Sequence, residues 1–303
     1  MGIFCIGQSA YDITVPLKEP LIENQKYRVT DFRECAGGPA LNAACLCASW
    51  GADTQLISRI GKDRYGRKLR EILRESGVGM WYLIPDEEIT TPHSLILTRP
   101  ENGNRTIFNF PGEKEEVAYH IPEENADVIL SDGHEPDITL EMLEKNTAAV
   151  SVVDAGTFRE STFAVAQKVD YLICSEDFAR QYTDKKIDLE NREEYQEIFQ
   201  KIERINQKHT IITLGERGLL YRKEDGEISH FPAYPVRAVD TSGAGDIFHG
   251  AFAYGLYRQF SLEENIRQSS MAAAISVQRR GSQPSIPTRE EVEISCRLWK
   301  KES

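Results

Sequence analysis

Positive charge is scarce in this chain: 36 lysines and arginines face 48 aspartates and glutamates, a formal net charge of −12 over 303 residues. Such a surface has no basic stripe with which to displace counterions, which argues against a nucleic-acid or anionic-membrane partner. Any phosphate handled here must be held locally by amides, a few basic side chains and a metal. No apolar run approaches the length of a membrane span. The opening MGIFCIGQSA lacks the basic start and long apolar stretch of a secretion signal, so a cytoplasmic protein is expected. Cysteine occurs six times but never as CxxC, and on a helix Cys45 and Cys47 point to different sides. A zinc site is therefore not expected; Cys5, Cys35, Cys45, Cys47, Cys174 and Cys296 read as reduced, mostly structural thiols. Repeats, low-complexity tracts and proline-rich linkers are also missing, so residues 1–303 read as one domain, of a size normal for a large α/β unit with an embellishment.

What is present is an alternation of short β-rich runs with amphipathic helical ones, the pattern of a mostly parallel sheet covered by helices. Strands are expected at 3–7, 54–58, 127–131, 149–154, 170–174 and 210–214. The helical runs are PALNAACLCASWG, RYGRKLREILRESG, DITLEMLEK, NREEYQEIFQKIERINQ and SLEENIRQSSMAAAISVQRR. Residues 11–34 and 93–110 break this order with period-two alternation, and PENGN within the second is a hairpin signal. They read as strands of a small sheet inserted into the α/β body, a candidate lid.

The stretch VDTSGAGDIFHGAFA, Val239 to Ala253, joins a strand-like segment to an apolar helix. Gly243 and Gly245 permit a tight turn and leave no side chain over the amides, and a helix N-terminus with bare amides attracts anions. If those amides hold a transferring phosphoryl group, they form an anion hole. Asp246 beside them can accept a proton from an attacking hydroxyl. An ordinary helix start, with Asp246 merely favourable at the positive end of the dipole, explains the stretch equally well on its own. A dinucleotide-binding reading is weaker, because GAGDIF lacks the third glycine of GxGxxG and only about sixty residues follow it. GxxxxGK[ST], HRD and DFG do not occur, which removes P-loop and protein-kinase readings.

Asp240-Thr-Ser-Gly-Ala-Gly-Asp246 resembles the DTxGAGD signature of the ribokinase-like (PfkB) carbohydrate kinases. Glu34-Cys-Ala-Gly-Gly-Pro-Ala-Leu-Asn42 is similar to that family's N-terminal GGxxxN element. Gly61-Lys-Asp-Arg-Tyr-Gly66, Thr213-Leu-Gly-Glu-Arg-Gly218, Ala272 to Ile275 and Arg280 to Ser285 match further family segments in order, so the resemblance covers nearly the whole chain. It implies a ribokinase-like three-layer α/β/α fold with a mostly parallel central sheet and a small β-sheet lid. It also implies an ATP-dependent sugar kinase that uses Mg2+, with a monovalent cation, K+ for instance, beside the anion hole. Ile13, Val15, Ile96, Ile107 and Phe108 on the inserted segments are more apolar surface than a small sheet can bury on both faces, so a homodimer that packs lid against lid is expected.

Residue by residue, the resemblance makes Asp246 the general base and the amides of Gly243, Ala244 and Gly245 the phosphoryl cradle. Asp12, Gly38 and Asn42 match sugar-binding positions, and a carboxylate and an amide suit hydroxyls. Thr213 and Gly215 match the loop bordering adenosine, and Ser270 falls near the adenine or ribose. Asp240, Ser242, Ser276, Arg279, Gly281 and Ser285 align with the monovalent-cation loop, largely through backbone oxygens. For Asp12, Asn42 and Ser270 taken singly, surface, capping or plain helical roles remain open.

The departures concern metal and substrate. Where many members carry NxxE this chain has Ser175-Glu-Asp-Phe178, so Glu176 or Asp177 is the substitute at the nucleotide and metal position. Ribokinases proper usually have Asn at Ala10 and Lys at Pro39. The Ser-x-Asp pattern and Asn104-Arg105-Thr-Ile107 on the lid hairpin resemble ketohexokinase and related ketose kinases, with Arg105 reaching phosphate or sugar once the lid closes. Asp132-Gly-His134 follows a strand end where ligands bind in open α/β sheets; His134 is a sugar-contact candidate or, with Pro136, a helix-start residue. A fructose-like ketose is the expected acceptor. A nucleoside kinase or sugar-acid kinase of the same fold, and a non-catalytic nucleotide or sugar sensor, are the alternatives.

Overall fold

The computed structural model describes residues 2–17, 19–80, 82–86, 89–99, 105–112 and 121–302. From the N-terminus the elements are β1 (Gly2–Ile6), β2 (Ala10–Pro16), β3 (Arg33–Gly37), α1 (Pro39–Ser49), β4 (Thr54–Gly61), α2 (Arg64–Glu75), β5 (Leu83–Asp86), β6 (His93–Thr98) and β7 (Arg105–Phe110). They continue with β8 (Ala126–Ser131), α3 (Pro136–Lys145), β9 (Val150–Ala155), α4 (Glu160–Ala166), β10 (Tyr171–Ser175), α5 (Glu176–Thr183) and α6 (Arg192–Asn206). The C-terminal part holds β11 (His209–Thr213), β12 (Leu219–Arg222), β13 (Ile228–Phe231), α7 (Ala244–Tyr257), α8 (Leu262–Ser276) and α9 (Arg289–Glu302).

Nine strands form the main sheet in the order β13-β12-β11-β10-β9-β8-β1-β4-β5. Every pair from β5 through to β11 is parallel, and β12 and β13 close the edge as an antiparallel hairpin. Parallel strands covered on both faces must be apolar on both, and β1, Gly-Ile-Phe-Cys-Ile, is buried along its whole length. Its side chains alternate between two cores. Ile3 and Cys5 join Leu56, Leu130 and Val152 under α1, α2, α7, α8 and α9, whereas Phe4 and Ile6 join Ile57 and Ile129 under α3. On that second face Val153, Leu172, Cys174 and Ile212 meet α4, α5 and α6. Three layers follow directly from this period-two split. The six expected strands and five expected helices are all found, with ends shifted by up to four residues. α4, α5, α9, β5 and the β12–β13 hairpin are additions, the last turning at Asp225-Gly226.

The inserted strands pair as a separate four-stranded sheet, β3-β2-β6-β7. The expectation of strands across 11–34 holds only at its ends: β2 stops at Pro16 and β3 starts at Arg33, and the described residues between them form turns and irregular chain. Pro16 and Pro20, with Asn24 in the left-handed region, explain the interruption, because proline removes ladder donors. β6 and β7 pair in hairpin register, Thr98 with Arg105; the PENGN turn, with Asn104, lies outside the described residues.

Candidate active site

Two helices bring the central residues together. α1 begins Pro-Ala-Leu-Asn-Ala-Ala and α7 carries Gly250 midway. A β-carbon on Gly250 would lie 2.9 Å from Ala43 Cα, so the two helices pack backbone to backbone. The Cys47 thiol donates to the Gly250 carbonyl at 3.2 Å across the same seam. One turn nearer the N-termini of both helices, Asn42 Nδ2 donates to Asp246 Oδ2 at 2.7 Å. Two motifs 204 residues apart in sequence therefore meet in one hydrogen bond. Asn42 is buried, and its own carbonyl Oδ1 has no hydrogen-bond partner among the described residues.

Gly243 caps α7 in the left-handed region, φ 74°, where a side chain is strained and where a β-carbon would sit 2.6 Å from Ser282 Cβ. Gly245 is different: nothing lies within 4 Å of its missing β-carbon, so the first turn of α7 is open on that side. The leading amides of a helix lack intrahelical partners; that of Ala244 makes a long 3.4 Å bond to the Thr241 carbonyl. Burial raises the Asp246 carboxyl, the charge of Asp154 raises it further, and the Asn42 hydrogen bond and His249 oppose them; the outcome is a pKa of about 6. A base poised near neutrality is suited to taking a hydroxyl proton.

The remaining expected site residues fall around this centre. Asp12, on β2, lies against Gly37, whose missing β-carbon would come within 2.3 Å of its carboxylate. Gly38 caps α1 with φ 95° and approaches the Gln8 carbonyl closely. Thr213 Oγ1 donates to the Cys174 carbonyl at 3.3 Å at the end of β11, Gly215 begins a 3-10 turn with φ 60°, and Ser270 is half-buried on α8. Arg105 opens β7.

In the expected cation loop, both oxygens of Asp240 are engaged, Oδ1 by the Ser242 amide and Oδ2 by the Gly281 amide, each at 2.9 Å. Asp240 thus ties the 240s turn to the 280s turn behind Gly243. The Ser276 and Ser285 hydroxyls donate to carbonyls of their own turns, and the Arg279 guanidinium pairs with Glu291. The side-chain oxygens of Asp240, Ser276 and Ser285 are therefore committed to the loops, and a cation there would rely largely on backbone carbonyls. Among the described residues no group of three His, Cys, Asp or Glu side chains is arranged to hold a metal. Glu176 is paired to Arg217 at 2.5 Å, exposed Asp177 pairs with Arg180, and Ser175 caps α5 by accepting from Phe178 N. The Ser-Glu-Asp segment is thus the start of a helix, with Glu176 held by Arg217.

His134 lies within a polar cluster. Asp132, fully buried, accepts from the amides of Gln8, Ala40 and His134 and so fastens β1, α1 and the β8–α3 turn together. Burial pushes its carboxyl up, but the His134 charge and these donors more than offset that and leave it below the usual range. His134 Nδ1 lies 3.0 Å from Asp132, its Nε2 meets the Arg159 guanidinium, and the ring lines a cavity of about 40 Å³ with Gln8, Ser9, Arg59 and Glu135. Asp63 of the GxDxxG segment caps α2 and holds Thr91 through its amide and hydroxyl, a structural task.

Sequence reasoning missed Asp154, Arg159 and His249. Asp154 and His249 had a visible signal: an acid at the carboxyl end of a buried strand, and a lone histidine three residues after Asp246 in the apolar run IFHGAFA. Arg159 had none, since only the fold carries it to the end of β8.

The profile described as pfkB family carbohydrate kinase matches residues 2–289. The chain is 29% identical to a ribokinase of Lactococcus lactis subsp. lactis (strain IL1403) over 88% of this chain and 87% of that one. A ribokinase of Bacillus subtilis (strain 168) is 26% identical over 96% and 98%. The crystal structure of a putative ribokinase from Agrobacterium tumefaciens superposes with a TM-score of 0.86 over 99% of this chain and 98% of that one, at 24% identity. With Asn42 set against Asp246 at the open end of α7, and the family profile spanning nearly every residue, this chain belongs to the pfkB family and is an ATP-dependent carbohydrate kinase.

Proposed function

We propose that this kinase transfers the γ-phosphoryl group of ATP to a primary hydroxyl of a fructose-like ketose, with Asp246 as general base. The observation that carries the catalytic part is the Asn42–Asp246 hydrogen bond beside an unobstructed helix N-terminus. The acceptor hydroxyl gives its proton to Asp246 as its oxygen attacks the γ-phosphorus, and ADP leaves with the bridging oxygen. Negative charge on the equatorial phosphoryl oxygens is met by the amides of Gly243, Ala244 and Gly245. Asn42 fixes the base through Nδ2, and its unpartnered Oδ1 suits a sugar hydroxyl as donor. In this reading Gly38 and Asp12 border the sugar. Thr213, Gly215 and Ser270 border the nucleotide in this reading. Mg2+ would arrive with the nucleotide and would supply charge neutralisation at its phosphates. A monovalent cation such as K+ would stiffen the 240s and 280s turns that Asp240 joins.

The ketose assignment rests on Ala10 and Pro39, which place apolar groups where ribose-specific members carry polar ones. Ala10 is buried opposite Gly37 and Pro39 is the first residue of α1. An exocyclic primary hydroxyl also reaches deepest toward a base at a helix head. A second reading, a pentose such as ribose, is favoured by the ribokinases among the relatives. We read residues 1–303 as one kinase domain whose small sheet is a lid. On β7, Ile107, Phe108 and Phe110 are 46–49% exposed, and a homodimer that pairs lids would cover them. Free thiols and ATP dependence favour the cytoplasm, and among the described residues no helix is long and apolar enough to cross a membrane.

The test is an ADP-release screen across ketoses, aldoses, sugar acids and nucleosides, followed by phosphorus NMR of the product. The highest kcat/KM for a ketose with phosphate on a primary carbon supports the assignment. Highest kcat/KM for ribose, a nucleoside or a sugar acid, or phosphate on a secondary hydroxyl, refutes it.

A further inference from the structure

A buried pair that the transfer step itself does not use lies beneath the base. His249 sits one turn after Asp246 on α7 and is almost fully buried. Its Nδ1 lies 2.7 Å from the Gly245 carbonyl and 3.2 Å from Asp154 Oδ2, and its Nε2 lies 3.4 Å from the Ile173 carbonyl. Asp154 and Ile173 stand opposite each other in the β9–β10 ladder, so the ring rests over one rung of the sheet. All three partners are acceptors. A neutral imidazole has one N–H and one lone pair, and would turn that lone pair toward an oxygen; the imidazolium has a donor for each side. Burial pushes the Asp154 carboxyl up and the His249 charge beside it is the largest opposing influence, so each member of the pair favours the charged form of the other.

The crevice is otherwise crowded with negative charge. Asp246 of α7 feels Asp154 at the end of β9, Asp132 after β8 and the uncharged amide of Asn42 on α1; Asp154 in turn feels Asp132, His134 and Arg159. We propose that His249, held as an imidazolium by Asp154, is a positioning residue for phosphoryl transfer: it fixes the Gly245 carbonyl in the turn that bears the anion hole and supplies the nearest positive charge to Asp246. This rests on the reading of Asp246 as the base. His249 lowers the affinity of Asp246 for its proton and Asp154 raises it by more, so the two members of one pair act on the base with opposite sign. Packing alone gives no such opposition.

The test is the acid limb of kcat/KM between pH 5 and 9 for wild type, H249N, D154N and the double variant, each first shown to be folded by far-UV circular dichroism and thermal unfolding. Loss of the cation in H249N moves the limb upward by roughly half a unit to one unit, the scale of one nearby charge in a partly screened site. D154N moves it downward, because the larger repulsion disappears even if His249 then loses its proton. The double variant falls between the two. If H249N does not fold, H249Q, with an uncharged amide of similar reach, is measured in its place. Limbs that stay at the wild-type position, or that move in the same direction, overturn the pair. D246N separates this failure from that of the underlying reading: near-normal turnover in D246N removes the base and this inference together, whereas a large loss in D246N with unmoved limbs removes only the pair.

Discussion

Replacing Asp246 by Asn makes the protein more stable while it removes the base. Burial and Asp154 raise the Asp246 carboxyl from its ordinary 3.8 to about 6, which corresponds to about 3 kcal/mol of destabilisation once the group is ionised. The sign follows from linkage. Below pH 4 the group is protonated in both folded and unfolded chains and costs nothing. Between about 4 and about 6 the unfolded chain releases its proton first, so stability falls as pH rises; above about 6 the full cost is present. An Asn at 246 carries no charge and keeps a carbonyl to accept from Asn42 Nδ2, but a buried amide has a desolvation cost of its own, so a gain of about 1–2 kcal/mol is expected at pH 8. For a chain of this length that is about 1.5–3 °C in Tm. The assay is thermal unfolding of the ligand-free protein at pH 8, 6 and 4, wild type against D246N. The expected result is a variant that is more stable at pH 8, with the difference shrinking through pH 6 and changing sign by pH 4, where the neutral carboxyl of wild type no longer carries its ionisation cost and the buried amide still carries its own. A variant less stable at pH 8, or a difference independent of pH, refutes the reasoning.

Asn42→Ala removes the hydrogen bond that favours ionised Asp246, so kcat at pH 7 falls by about tenfold or more and the acid limb moves upward; a profile superposable on wild type contradicts the contact's role. Gly250→Val forces methyl groups into the α1–α7 seam at Ala43. It should cost about 1–3 kcal/mol in denaturant unfolding and lower kcat more than it raises KM for ATP, whereas a fully stable, fully active variant would show that the seam yields freely. The exposed β7 face predicts a dimer by sedimentation at micromolar concentration, dissociated by Phe108→Glu; a wild-type monomer excludes the paired-lid arrangement.

Parallel strands announce themselves because both faces are buried, which is why IFCI, DVILS and DYLIC are readable from composition alone and end close to where expected. The interior of 11–34 was less legible: ITVP alternates like a strand, but its continuation is set by prolines and by the absence of a pairing partner, and no local pattern reports a partner. The DTSGAGD turn and Asn42 were legible through the family resemblance, since an ordinary helix start explains the glycines equally well on its own. Their contact was not, because it depends on how closely Ala43 and Gly250 let two helices approach. His134 and Glu176 show the limit on polar residues. Their types suited ligand roles, and the neighbours the structure gives them come from distant segments that sequence spacing does not report, Arg159 for one and Arg217 for the other. Asp154 and His249 lie 95 residues apart in sequence, and only the β9–β10 rung beneath α7 brings them together.

The most direct measurement is turnover of D246N with saturating ATP and the best sugar from the screen, alongside nucleotide affinity by calorimetry. With Asp246 as base, kcat falls by about 10²-fold to 10⁴-fold while nucleotide affinity stays near that of wild type. Turnover within about tenfold of wild type, in a variant that binds ATP normally, contradicts the account.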